Sequence, residues 1–238
     1  MSNPELNAWL ETPLGRYMLA WEQAKCEQAV ADVFGFNALQ VGLSEVDMLR
    51  GNRIPFRFRC DDSSFLVQVW GEAHQLPFAS ASVDLVVLPH VLEFSPYPHQ
   101  VLREVERILV PEGQVVITGF NPLSLWGLRR RFASPMAPAP WSGEYLGIRR
   151  LKDWLALLGF EIQGGNFGCY APPMASALPR WQWMDKAGDR WWPIFGGTYL
   201  LQAVKRVHGM RLIMPRWRDR LARAKALAPA VQKTELMK

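Results

Sequence analysis

The stretch from Val83 to Phe120 constrains the fold of this 238-residue chain more than any other. Val83 to Leu88 is a short, mostly β-branched apolar run, the composition of a strand buried on both faces of a sheet. From Gln100 to Leu109 the period changes. Val101, Leu102, Val105, Ile108 and Leu109 share one face and Arg103, Glu104, Glu106 and Arg107 the other, which predicts an amphipathic helix. Pro111-Glu112-Gly113 breaks that pattern, and Gln114 to Gly119 is a second apolar strand. Strand, helix and strand in so short a span form a right-handed βαβ unit, and such units build parallel sheets with helices on both faces. The fold class is therefore α/β.

Directly before this unit stands GEAHQLPFASASVDLVV, starting at Gly71. The ordered set of a Gly-acid-Ala step, LPF, VDLVV, VLREVERIL and PEGQVVI resembles the class I methyltransferases that use S-adenosylmethionine, and most of all the group acting on small molecules and lipids. The resemblance is fullest from Val69 to Phe120. It implies a Rossmann-like fold with a central, mostly parallel sheet, S-adenosylmethionine as cofactor, and methyl transfer to a small-molecule acceptor. It also implies site residues. In the family a first strand runs into an acid and three alternate glycines, because glycine lets the backbone approach the ligand closely. Here Gln40 stands at the acid, Gly42 at the first glycine, and Ser44 and Val46 replace the other two. The serine leaves room for a methionine moiety, whereas the valine narrows the turn.

RIPFRFRCDD reads as the second strand, with Asp61 or Asp62 where the family holds the ribose hydroxyls; a simple Asp-Asp-Ser-Ser turn accounts for the same residues equally well. FLVQVWGEA follows almost at once as the third strand, so one crossover helix is expected to be lost or replaced by a tight connection. Glu72 and Ala73 match the adenine-contacting step, with Leu76, Pro77 and Phe78 packing beside or under the base. Pro89, His90 and Val91 fall at the carboxyl end of the fourth strand, where open α/β sheets bind ligands. The resemblance puts Pro89 and His90 along the methionine part of the cofactor. His90, with a pKa near neutrality, is the candidate to take a proton from an acceptor hydroxyl or amine; it also suits a helix cap. His74 has no assigned role, and no metal set is expected.

The expected organisation is a helical cap over 1–36, a methyltransferase-like domain over 37–207 with an insert near 170–196, and a basic tail over 208–238. Thr12-Pro13 begins an amphipathic helix, which either covers the cofactor or simply packs on the sheet edge. Asn121-Pro122 opens a long loop or lid and lies after the fifth strand, so it is not the Asn-Pro-Pro-Tyr motif of nucleic-acid amino methyltransferases. Arg129, Arg130 and Arg131 there face either an acidic substrate group or solvent. RRLKDWLALLGFEI predicts a helix closed by Gly159 and then a strand, and Gly197 to Val207 the last strand. The insert holds Trp181, Trp183, Trp191 and Trp192, reads as a small helical subdomain, and suits a wall for a hydrophobic acceptor, a protein partner or a membrane surface.

The net charge of +5 concentrates in the tail, which attracts nucleic acid or anionic lipid only as a solvated extension, so a nucleic-acid substrate is not expected. Cys26, Cys60 and Cys169 show no disulfide or metal spacing, the N-terminal residues lack a signal-peptide pattern, and no apolar run is long enough to span a bilayer. A cytoplasmic protein is the expectation. The altered glycine loop also admits a second reading, a non-catalytic relative that keeps the fold as a binding or scaffolding module.

Overall fold

A computed structural model describes residues 4–62, 67–134, 136–174, 178–181 and 183–207. The expected basic tail lies outside these residues. Met1–Val207 forms one compact unit. Its sheet has seven strands in the order β3-β2-β1-β4-β5-β7-β6, formed by β1 Asn37–Val41, β2 Phe56–Asp61, β3 Val69–Trp70, β4 Val83–Pro89, β5 Leu109–Phe120, β6 Phe160–Gly168 and β7 Thr198–Lys205. All neighbours pair in parallel except β7, which runs antiparallel to both β5 and β6.

The βαβ unit is present as expected, with α3 spanning Pro98–Ile108 between β4 and β5. Pro111-Glu112-Gly113 does not separate helix from strand. It forms a bulge inside β5, with Val83 opposite Leu109 but Leu85 already opposite Gln114, and Glu112 takes a positive φ of 64°. Strand alternation divides the core into two layers. Val86, Leu88, Val115 and Ile117 pack with α3 and with α5 Ile148–Leu157, while Leu85, Val87 and Val116 pack with α1 Pro4–Leu10 and α2 Pro13–Val30. Thr12 caps α2 by accepting from the Gly15 amide at 3.2 Å. Asp84 anchors the start of β1, its Oδ2 accepting from the amides of Phe36 and Asn37 at 2.8 and 2.9 Å.

The connection from β1 to β2, residues 42–55, contains no helix. Parallel neighbours ordinarily need a crossover element to cover their face. The loop itself does this here: Leu43, Met48, Leu49 and Ile54 are buried against Cys26, Val30 and Val33 of α2 and its end. Asn52 ties the two together by donating from Nδ2 to the Val30 and Val33 carbonyls. The β3 strand is only two residues long, shorter than the run FLVQVWGEA suggests.

After β5 the chain forms α4, Leu125–Arg131, then α5 and β6. The insert between β6 and β7 carries α6 Leu178–Trp181, α7 Trp183–Trp191 and a 3-10 turn at Pro193–Phe195, and its two ends meet where the Gly197 amide donates to the Cys169 carbonyl at 3.1 Å.

The charged face of α3 is not a solvated stripe throughout. Arg107 donates to the Phe78 and Leu76 carbonyls at 2.8 and 3.1 Å and pairs with Glu104 at 2.8 Å, stapling the segment after β3 to the helix. Arg107→Ala is expected to cost about 1–2 kcal/mol in urea denaturation, with amide exchange rising first around residues 76–82.

Candidate active site

The carboxyl ends of β1, β2, β3 and β4 bring the expected residues into one row. The Gly42 amide donates to the Cys60 carbonyl at 2.9 Å and the Gly71 amide to the Asp61 carbonyl at 3.2 Å, so Gly42, Asp61 and Glu72 follow one another along the edge. On the other side of β1 lies β4, whose end presents Pro89 and His90. Between β1 and β4 the chain order of the strands reverses, the crevice where such sheets bind ligands.

Within this row each residue has a definite setting. Gly42 and Leu43 both take left-handed conformations, with φ of 74° and 46°. Gln40 is fully buried and serves the loop: Nε2 lies 3.2, 3.0 and 2.8 Å from the carbonyls of Gly42, Leu43 and Val46, and Oε1 accepts from the Met48 amide at 2.9 Å. Arg59 adds a bond from Nη1 to the Ser44 carbonyl at 2.9 Å. The Ser44 hydroxyl is buried and has no hydrogen-bond partner. Asp61 is buried at the end of β2, and Asp62 follows it half-buried. Glu72 is half-exposed on its carboxylate, which pairs with His74 Nε2 at 3.1 Å, so His74 is not a free loop residue. Ala73 and Leu76 belong to the core, and Phe78 sits against Phe58 with ring centres 6.4 Å apart.

The β4 end is the largest departure from expectation. His90 is buried, with φ at 53°, between two carboxylates: Nε2 is 2.9 Å from Glu22 Oε1 of α2 and Nδ1 is 2.8 Å from Glu93 Oε2. Glu93 Oε1 also accepts from the Phe120 amide, and the Thr198 hydroxyl lies 2.6 Å from Glu22 Oε1 and 3.0 Å from the Gly119 carbonyl. Gly119 is required here, because a Cβ would stand 2.7 Å from the Tyr199 hydroxyl and 3.0 Å from Glu93 Oε1. Burial alone pulls the imidazole pKa down. The charges and hydrogen bonds of Glu22 and Glu93 outweigh it and raise the value to about 10. At neutral pH His90 is thus an imidazolium with both nitrogens engaged and no lone pair for a proton. Through its two carboxylates His90 links α2, the end of β4, β5 and β7. Nothing in the local pattern PHVLE announces Glu22, which lies 68 residues earlier.

The fold and the sequence comparisons agree. Residues 20–117 match the methyltransferase domain family. The uncharacterised protein YafS of Escherichia coli is 31% identical over 157 residues, 66% of this chain, and the chain spans 65% of the length of that relative. Among solved structures, a chain of the complex between the Haloferax volcanii Trm112 methyltransferase activator and a putative methyltransferase superposes with a TM-score of 0.62 at 20% identity, covering 87% of this chain and 99% of that one. A possible histamine N-methyltransferase from Thermotoga maritima gives 0.59 at 16% identity over 80% of this chain and 94% of its own. The methyltransferase-domain match spans residues 20–117, and the solved methyltransferases share the fold of this chain. The β1–β3 edge leaves a ligand the unpartnered Ser44 hydroxyl, whereas the Gly42 amide and the Gly42 and Leu43 carbonyls already have partners.

Two outcomes follow from these settings. Gln40→Glu, which installs the acid usual in the family, sets a carboxylate against three carbonyls and is expected to destabilise the protein by about 2–4 kcal/mol in urea denaturation. His90→Gln leaves two buried carboxylates without their cation and is expected to cost about 3–5 kcal/mol. Because the folded pKa of about 10 exceeds the ordinary 6.5, the stabilisation is complete below about pH 6.5 and is lost progressively up to about pH 10. Wild type minus His90→Gln, followed by thermal melting across that window, should shrink accordingly.

Proposed function

We propose that this protein transfers a methyl group from S-adenosylmethionine to a small-molecule acceptor. The observation that carries the reading is the alignment of Gly42, Asp61 and Glu72 along the carboxyl edge, beside the reversal of strand order. In this reading Asp61 or Asp62 accepts from the ribose hydroxyls, Glu72 and the Ala73 backbone hold the adenine, and the Gly42–Ser44 loop and Pro89 flank the methionine portion. The bound cofactor supplies an activated sulfonium methyl group, whose in-line displacement needs alignment and exclusion of water more than side-chain chemistry. His90 acts at one remove as a positioning residue. Its imidazolium, bonded to Glu22, fixes α2 over the β4 end and keeps water from that side. It does not accept the acceptor's proton.

A non-catalytic module is the second reading, favoured by the buried Glu22–His90–Glu93 cluster that fills the β4 end and by the helix-free loop after β1. Titration calorimetry with S-adenosylmethionine and S-adenosylhomocysteine separates the two. Binding in the micromolar range, about 8 kcal/mol of favourable free energy, is the expected result. Glu72→Ala should weaken it by about tenfold with an unchanged melting temperature. No binding to protein freed of carried-over ligand would leave only the module.

A further inference from the structure

The arginine run of α4 resolves into three different settings. Arg129 donates to the Pro173 carbonyl and lies over the Trp141 ring, 4.5 Å from its centre. Arg130 donates to the Gly143 carbonyl and lies over Tyr145 at 5.2 Å. Arg131, by contrast, is exposed and has no hydrogen-bond, ion-pair or ring partner among the described residues. It lines a cavity of about 490 Å³ between α4 and the insert, within the size range of small-molecule sites.

The rest of that lining is apolar or already satisfied. Leu123, Leu125 and Leu128 form one wall, and Met184, Trp192 and Phe195 the other. The Ser124 hydroxyl donates to the Asn121 carbonyl at 2.6 Å and caps α4 by accepting from Gly127, and the Tyr170 hydroxyl donates to the Pro193 carbonyl at 2.9 Å. Among the described lining residues, Arg131 is therefore the one side chain whose charged donors are still available. The leucines, Trp192 and Phe195 remain exposed around it, so water stands against apolar surface that a ligand would cover. An apolar volume with a single available guanidinium selects an apolar body with a single negative head: a neutral body leaves the cation unused, and a cationic head is repelled. Trp126 and Phe120, stacked with centres 6.2 Å apart, are buried behind α4 on the side of the His90 cluster.

We propose that this cavity binds an amphiphile with a hydrocarbon or aromatic body and one anionic head, a carboxylate or phosphate monoester, its body between Leu128 and Trp192 and its head on Arg131. The inference does not depend on methyl transfer and can be tested whether or not the cofactor binds. Calorimetric titration of the full chain with decanoate below its micelle concentration should give saturable one-to-one binding, with 1-decanol at least about tenfold weaker. Arg131→Gln should bring decanoate down to the level of 1-decanol without moving 1-decanol itself, and Leu128→Gln should weaken both. Unchanged thermal melting of each variant confirms the fold, both substitutions being on exposed side chains. No saturable binding, or an acid preference that survives Arg131→Gln, overturns the proposal. Sedimentation with phosphatidylglycerol vesicles distinguishes the sources of such a head group. Decanoate binding without vesicle binding, the expected result, places the ligand in solution. Vesicle binding that decanoate displaces keeps the same site and places it in a bilayer, and vesicle binding indifferent to both decanoate and Arg131→Gln overturns it.

Discussion

A positive charge buried between two negative ones holds the centre of this protein together. Glu22 comes from α2, His90 and Glu93 from the end of β4, the Phe120 amide from β5, and the Thr198 hydroxyl from β7. Each of these groups would be expensive to bury alone. Together they bond one another only when four separate segments arrive in register, Glu22 Oε2 alone staying buried without a partner, so the cluster rewards the correct assembly of the sheet and penalises partial ones. The same cluster sits at the carboxyl end of β4, beside the reversal of strand order. It gives the end of β4 a buried, charged floor fixed from both sides of the imidazole.

The parts of the fold that depend on local period were legible in the sequence. The change from period two to period 3.6 between Leu88 and Gln100 located β4, α3 and β5, and Gly159, with its φ of 80°, marked the end of α5. What escaped was what depends on distant partners. The bulge at Glu112 looked like an interruption because backbone pairing with Val83 cannot be seen from one strand. Arg107 and Glu104 looked like surface charges because their partners are backbone groups of a distant loop: Arg107 donates to the Leu76 and Phe78 carbonyls, and Glu104 accepts from the Leu76 amide.

The candidate site was legible in position more than in role. Gly42, Asp61, Glu72 and Pro89 were singled out by the resemblance, and they lie on one edge. Gln40 was placed beside the cofactor by analogy with an acid, yet an amide can donate as well as accept, and its donors close the loop that a missing helix leaves open. The amide at Gln40 and the helix-free loop after β1 are thus joined by four hydrogen bonds. Only the structure connects them.

The insert between β6 and β7 leaves and re-enters the sheet through a single neck, closed by the bond from Gly197 to Cys169. The antiparallel hairpin on either side of that neck runs from Gly168 opposite Thr198 to Phe160 opposite Lys205, with one register shift between Ile162 and Gly164. A segment attached in this way behaves as a cassette. Its length can vary without disturbing the ladder below, provided it keeps the bonds of Asp185 to Tyr17 and of Asn121 to the Ile194 and Gly196 carbonyls, which tie it to α2 and to the end of β5. Ligand preference in such a protein can change by exchange of one module, at a tempo unrelated to that of its core.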